Sequence, residues 1–413
     1  MKRYLILLLL LFSFSYANVN IYSNNAILID GRTGKILYEK AANEKAYPAS
    51  TTKILTALIA LNQHLDFSEL IIPSHDAIFS IPSGSSIAYF SEDEELNFEQ
   101  VMYGLMLPSG NDAANIIAER VSGSTEEFAK LMNSTAKKLG AKNSNFVNAN
   151  GLHDDNHYST AYDLALIAKE AMLNKNFRKI VSTYHYSMPK TNRTETEREF
   201  YNTNKLLNPN SEFYYKDAIG IKTGFTSNAK NCLVAAAERD GIYLISVVLG
   251  GSLSYENGSE VYNDTTNLLN YGFSLYTPKT ILAENSTVDE VLLKYAKKKT
   301  KVNVINEKPI IAQLEKNTNP TLEQAISYND NFKLPLKKGT QIGTVSYYLD
   351  DTCVATSDLI AANDVEKTNI IIYYIGILSK LIIYAFLSLI ILCIVLRIFN
   401  ELRKAIKRRR KAK

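Results

Sequence analysis

The sequence predicts an α+β fold, and three observations carry that prediction. Residues 18–275 open and close on strand signals with helical periods between them. That pattern implies one antiparallel sheet joining the two ends, flanked by helices. Residues 276–367 change to short alternating runs broken by Asn, Pro, Gly and Asp, which read as a small β-rich domain. Residues 374–396 are almost wholly apolar and long enough for a membrane helix.

The chain begins MKRYLILLLLLFSFSYAN. Lys2 and Arg3 form a positive start, Tyr4 to Phe14 an apolar core, and Ser15-Tyr16-Ala17 a small-x-small cleavage pattern. Residues 1–17 therefore read as a secretory signal peptide, the apolar run being short for an uncleaved anchor. AILIDGRTGKILYE follows as two strands about a Gly/Arg/Thr/Gly turn. In PASTTKILTAL, Pro48 stops regular structure from running in, and Ile54, Leu55, Leu58 and Ile59 form the apolar face of a helix over 50–63. Ser50 and Lys53 fall in its first turn on a shared face. Further helical periods are NFEQVMYGLML, DAANIIAERV and STAYDLALIAKEAML. In the last of these, Thr160 and Asp163 resemble an N-cap pair, Leu164, Ile167, Ala168, Ala171 and Met172 form the buried stripe, and Glu170 falls opposite. CLVAAAERDGIYLISVVLGG is two apolar runs about Asp240-Gly241, a strong hairpin signal.

Lys380 is the one charge between Tyr374 and Leu396, near the outer end, where it can snorkel to the interface. Residues 397–413 hold nine Lys and Arg, and a basic cluster after a span marks the cytoplasmic side. The expected protein is thus exported and held by one C-terminal span with its body outside. Setting aside the two basic residues of the leader, and the ten basic and one acidic residues of 370–413, leaves 34 basic against 41 acidic residues in 18–369, a net of −7. Such a surface does not suit nucleic acid. Cys232, Cys353 and Cys393 show neither a disulfide framework nor metal spacing. His153 and His157, in GLHDDNHYST, lie four apart in a loop with no third ligand in evidence, and His157 reads as structural.

A serine three residues before a lysine is, alone, a common coincidence. Two more stretches alter the reading: LPSGNDAA, with Ser109 and Asn111 in a loop between helices, and GIKTGFTS, with Lys222, Thr223 and Gly224 on the strand opening the last hairpin. In this order, S-x-x-K, S-x-N and K-T-G resemble the signature of the penicillin-binding proteins and class A β-lactamases. The longer stretches YPASTTKILTAL, YGLMLPSGNDAANIIAE, NANGLHDDNHYSTAYDLALIA and GIKTGFTSNAKNCLVAAAERDGIYLISVVLGG resemble the low-molecular-weight penicillin-binding proteins, the serine D-alanyl-D-alanine carboxypeptidases of peptidase family S11. KGTQIGTVSYYLDDTCVATSDLIAANDVEK is similar to the end of that family's small β domain.

The resemblance implies a β-lactamase/transpeptidase-like domain over 18–275, a β-sandwich over 276–367, an anchor over 374–396 and a basic cytoplasmic tail over 397–413. It implies the pentapeptide stem of peptidoglycan as substrate, β-lactams as inhibitors, and neither metal nor organic cofactor. Ser50 would be the acyl-ester nucleophile and Lys53, desolvated near Lys222, its base. Ser109 would relay a proton to the leaving nitrogen, and Asn111 would hold a substrate peptide group. Lys222, Thr223 and Thr226 would face the substrate carboxylate, and Gly224 would keep the strand clear of a side chain. The backbone N–H groups of Ser50 and Phe225 would form the oxyanion hole.

One departure stands out. Many relatives carry an arginine shortly after the glycine pair that corresponds to Gly250-Gly251. Here no Lys or Arg occurs from Asp240 to Pro278, and Val261 is near the expected place. Two rival readings share the fold. A β-lactamase would need a deacylating glutamate, and EAMLN (170–174) offers Glu170, but on a solvated helix face about 60 residues past Ser109. A non-catalytic sensor would keep acylation and lose turnover, but only 17 residues follow Leu396, too few for a signalling domain.

Overall fold

The computed structural model describes residues 19–252, 260–297, 300–329 and 333–411, so the leader lies outside the described residues. The chain forms two compact units. The first runs to Thr277 and takes in Gln313–Thr318; the second comprises Pro278–Ala312 and Asn319 onward.

In the first unit five antiparallel strands form the main sheet: β1 (Asn25–Asp30), β2 (Ile36–Lys40), β3 (Ala218–Thr226), β4 (Lys230–Arg239) and β5 (Ile242–Gly251), in the order β2-β1-β5-β4-β3. The first two strands and the last three are separated by nearly 180 residues, so the sheet joins the two ends of the unit. Asp240 (φ 50°) and Gly241 (φ 79°) both take the left-handed conformation in the β4–β5 turn. That is the turn whose twist suits a two-residue hairpin.

Both faces of the sheet are covered, so its strands are apolar without alternation. On one side Ile27, Ile29, Ile245 and Val247 join a large core with helices α1 (Lys53–Leu61), α2 (Phe98–Met106), α3 (Asn111–Ser122), α4 (Thr125–Lys138), α5 (Ala161–Ala171) and α6 (Lys175–Ser182). On the other, Ala26, Leu28, Leu244 and Val248 meet Leu268, Leu269 and Phe273 of α7 (Glu260–Ser274). Helix starts follow their caps. Asn97 and Gln100 form a full capping box on α2. Thr160 caps α5 by accepting from the Asp163 N–H, but the Asp163 carboxylate turns away to the Asn143 N–H and the Ser144 hydroxyl, tying the preceding loop to the helix.

The second unit holds another five-stranded antiparallel sheet: β6 (Thr287–Val291), β7 (Val302–Asn306), β8 (Glu323–Tyr328), β9 (Gln341–Leu349) and β10 (Thr352–Ala361), in the order β6-β7-β10-β9-β8. Val302, Val304, Ile342, Val345 and Leu359 build its core. The last helix, α8, spans Ile370–Lys411. It starts before the apolar run read from sequence and continues through most of the basic tail, because nothing in those residues breaks a helix. Its stretch Ile371–Ile406 is long and apolar enough to cross a membrane.

Candidate active site

Ser50 does not sit in the first α-turn, as the periodicity alone predicts. Ala49–Thr52 form a 3-10 turn, and the α-helix starts at Lys53. Ala49 just before the serine has φ 47°, a conformation that a β-carbon disfavours. Two glycines let neighbouring chain close on this turn. A β-carbon on Gly151 (φ +85°) would stand 1.9 Å from the Ala49 carbonyl oxygen. One on Gly224 would stand 3.0 Å from both the Pro48 carbonyl oxygen and the Ser50 backbone nitrogen. Gly224 is therefore needed so that β3 can pack on the serine's turn, a different reason from clearing a ligand path along the strand.

Lys53 is fully buried. Its Nζ donates to Ser50 Oγ at 3.1 Å, to Asn111 Oδ1 at 2.6 Å and to the Asn150 carbonyl at 2.6 Å. Burial, reinforced by the charge of Lys222 and opposed by that of Asp112, holds its pKa well below the usual lysine range. Lys222, on β3, is equally buried, and its Nζ bonds the Thr223 carbonyl at 3.1 Å. Burial lowers its pKa to about 7. No carboxylate forms an ion pair with either amine among the described residues.

Ser109 and Asn111 enter from the loop between α2 and α3. Ser109 has φ 67° and a buried hydroxyl with no hydrogen-bond partner among the described residues. Asn111 opens α3, and its Oδ1 is taken by Lys53, leaving its amide nitrogen as the part that a bound molecule can use. The neighbouring Asp112 is 1% exposed and fixes the site's wall: its carboxylate accepts from the backbone N–H groups of Ala88 and Phe90. The Asn111 N–H donates to the Ser86 carbonyl at 2.9 Å in the same wall.

These groups converge on a cleft of about 580 Å³, lined by Ser50, Ser109, Asn111, Thr223, Gly224, Phe225 and Thr226 among others. β3 is an edge strand of the sheet, so one row of its backbone polar groups has no sheet partner and a peptide can pair with it. Thr223 Oγ1 is held 2.6 Å from Thr203 Oγ1. A hydroxyl touching a desolvated amine, beside a helix start and an open strand edge, is an arrangement for acyl transfer.

Comparison with known proteins agrees. A family model described as D-alanyl-D-alanine carboxypeptidase matches residues 13–252, and one described as penicillin-binding protein 5, C-terminal domain, matches 276–367. The chain belongs to the S11 family of D-alanyl-D-alanine carboxypeptidases. It is 34% identical to the Bacillus subtilis D-alanyl-D-alanine carboxypeptidase DacF, over 85% of this chain and 88% of that one. It is 30% identical to Escherichia coli DacC over 83% of this chain and 84% of that one. Among solved structures, the D-alanyl-D-alanine carboxypeptidase DacD from Francisella tularensis matches with a TM-score of 0.58 at 27% identity, covering 89% of this chain and 98% of that chain.

The structure also places residues of this enzyme that the motifs did not single out. Asn150 is one: its carbonyl accepts from Lys53, while its side chain accepts from the Leu152 N–H and donates to Asn115. Ser85, Ser86 and Thr203 line the cleft from loops without a recognisable pattern. His157 is 2% exposed. Its Nδ1 accepts from the Val147 N–H, so its Nε2 carries the proton and donates to Thr52 Oγ1 at 2.8 Å. Burial lowers its pKa to about 4, and it acts as a brace between loop and helix start. Glu170 is exposed on α5 and does not line the cleft. Val261 does line it, packed where a β-carbon on Gly251 would come within 2.4 Å of it, and no lysine or arginine is among the described residues that line the cleft.

Proposed function

We propose that Ser50 is the residue acylated in this carboxypeptidase, with Lys53 as its base. The observation carrying the reading is the buried, charge-depressed Lys53 amine 3.1 Å from Ser50 Oγ. The neutral amine takes the hydroxyl proton as Oγ attacks the carbonyl carbon of the penultimate D-alanine in a pentapeptide stem. The oxyanion is met by the N–H groups of Ser50 and Phe225. As the C–N bond breaks, the proton taken by Lys53 is relayed through Ser109 to the departing D-alanine nitrogen, which leaves Lys53 neutral and Ser109 restored. Water then cleaves the ester and Ser50 regains its hydrogen. Thr223 and Thr226 hold the terminal carboxylate from the cleft wall, the charge of buried Lys222 on the same strand favours it there, and the Asn111 amide nitrogen donates to a substrate carbonyl. The nearness of Thr203 to Thr223 supports it as a further carboxylate-side group.

Incubating the ectodomain with a peptide ending in D-Ala-D-Ala, and measuring released D-alanine together with covalent penicillin on Ser50, tests this. Release that survives Ser50→Ala would defeat the assignment. A β-lactam should acylate the same serine and stay on it for minutes or longer, since Glu170 is exposed outside the cleft. Rapid penicillin hydrolysis lost on Glu170→Ala would instead support a lactamase.

The same reading extends to placement. Residues 1–17 would be removed on export, Ile371–Ile406 would supply a single span, and the body would face outward with the basic end in the cytoplasm. Residues 18–275 would hold the chemistry. Protease added to intact cells should digest the body and spare the tail.

A further inference from the structure

The second unit carries a small basic and aromatic patch where the chain enters α8. The segment around Tyr295–Lys297 pairs with the stretch leading into that helix: the Thr368 N–H donates to the Tyr295 carbonyl at 2.8 Å, and the Lys297 N–H to the Glu366 carbonyl at 2.9 Å. Asn369 then caps the helix, accepting from the Ile371 N–H at 2.9 Å. Tyr295 thus lies two hydrogen-bonded residues from the first turn of α8. Its ring centroid is 5.0 Å from that of Tyr373, and its hydroxyl is 3.3 Å from that of Tyr374. Lys294 Nζ lies 5.1 Å from the Tyr295 ring centroid.

The charges here are not balanced. Lys297 pairs with Glu366 at 2.5 Å and Lys301 with Glu290 at 2.8 Å. Lys294 and Lys367 have no carboxylate partner among the described residues. The sequence LLKYAKKKTK, 292–301, holds five lysines and no acid, within an exported part whose net charge is −7. Leu292, three residues before Tyr295, is 55% exposed, an apolar side chain beside the lysines.

Tyrosines at the level where a span begins, lysines around them and an exposed leucine make the pattern of a surface seated in lipid headgroups. We propose that Leu292, Lys294, Tyr295, Lys367 and Tyr374 form a contact site for anionic phospholipid headgroups. The lysines meet the phosphates, the tyrosines sit at the interface, and Leu292 dips below it. This rests on reading Ile371–Ile406 as a membrane span. Its consequence is that the β domain is seated on the outer leaflet at two points, the helix and this loop.

The chain has no tryptophan, so Leu292→Trp introduces a single fluorescent reporter. The full chain carrying it is mixed with phosphatidylcholine vesicles, with or without phosphatidylglycerol, containing brominated acyl chains as quencher. In anionic vesicles the reporter should blue-shift and be quenched, and raised salt should weaken both effects. Changing Lys294→Gln and Lys367→Gln together should lower the ratio of contacted to free reporter by about thirtyfold, while D-alanine release from a soluble peptide stays unchanged. Flotation of the vesicles reports the anchor separately. A chain that floats with its reporter unquenched, or equally quenched in both lipids, overturns the headgroup site. A chain that does not float overturns the membrane-span reading itself.

Discussion

The two units treat lysine in opposite ways. In the second, Lys297, Lys301 and Lys337 stand more than half exposed, each beside a carboxylate. In the first, Lys53 and Lys222 are stripped of water and given neutral oxygens, and Lys53 also feels the charge of Lys222. Exposed pairs gain little because water competes for both partners. Buried, unpaired amines cost stability, and the same burial holds both pKa values below the usual lysine range. The difference shows where folding energy has been exchanged for chemistry.

The largest effects should come from breaking the buried side of this contrast. Ser50→Ala should abolish penicillin labelling and D-alanine release, and Lys53→Ala should slow acylation by about 10³-fold or more, read by stopped-flow labelling. Labelling that persists in Lys53→Ala at a near-native rate would assign the base elsewhere.

Next come the glycines around the serine's turn. Gly151→Ala must place a β-carbon against the Ala49 carbonyl at a positive φ, whereas Gly84, on the cleft's rim at φ +82°, has open space around it. Gly151→Ala should cost about 3 kcal/mol in denaturant unfolding and disable acylation, and Gly84→Ala about 1 kcal/mol. Equal costs would show that the turn is not clamped.

Lys222→Met should gain stability while losing activity. The Lys222 pKa is about 7 in the folded chain, against the ordinary lysine value of 10.5 when unfolded. The unfolded chain therefore binds more protons between those values, and wild-type stability rises with pH through that window. The gain on substitution should be greatest at and below pH 7, on the order of 1–3 kcal/mol, and should shrink toward pH 10. In wild type, kcat/KM should fall on the alkaline side near pH 7 as Lys222 loses its proton. The matching limb in kcat should lie higher, because a bound carboxylate favours the charged amine. A kcat limb at the same pH would remove Lys222 from carboxylate binding.

The smallest effect should come from the exposed side. Lys337→Ala removes a 3.0 Å pair with Asp364 and should change stability by less than about 0.5 kcal/mol in thermal melts at low and high salt.

What could be read from the chain alone were its local patterns. The β4–β5 hairpin was visible because Asp-Gly supplies two left-handed residues between apolar runs, and the cap of α5 because a short polar side chain there satisfies a helix N–H group. The three motifs were visible because the chemistry requires those residue types, and the exposure of Glu170 followed from helical period. The position of Ser50 in a 3-10 turn was not legible, since Gly151 and Gly224, which pack on that turn, come from distant segments. Nor was the part of Asn150, whose carbonyl comes from a residue 97 positions away from Lys53.

The sequence by itself therefore determined the order of elements, the residues able to do acyl transfer and an apolar segment long enough to anchor them. Each of these depends on periodicity, turn chemistry or side-chain type within a few residues. Only the tertiary structure decided that Lys53 is a buried amine with a lowered pKa rather than one more solvated cation. That change needs water removed on every side and Lys222 brought close from 169 residues away, against the opposing charge of Asp112. Desolvation and charge proximity are properties of the packed chain, and no stretch of residues possesses them alone.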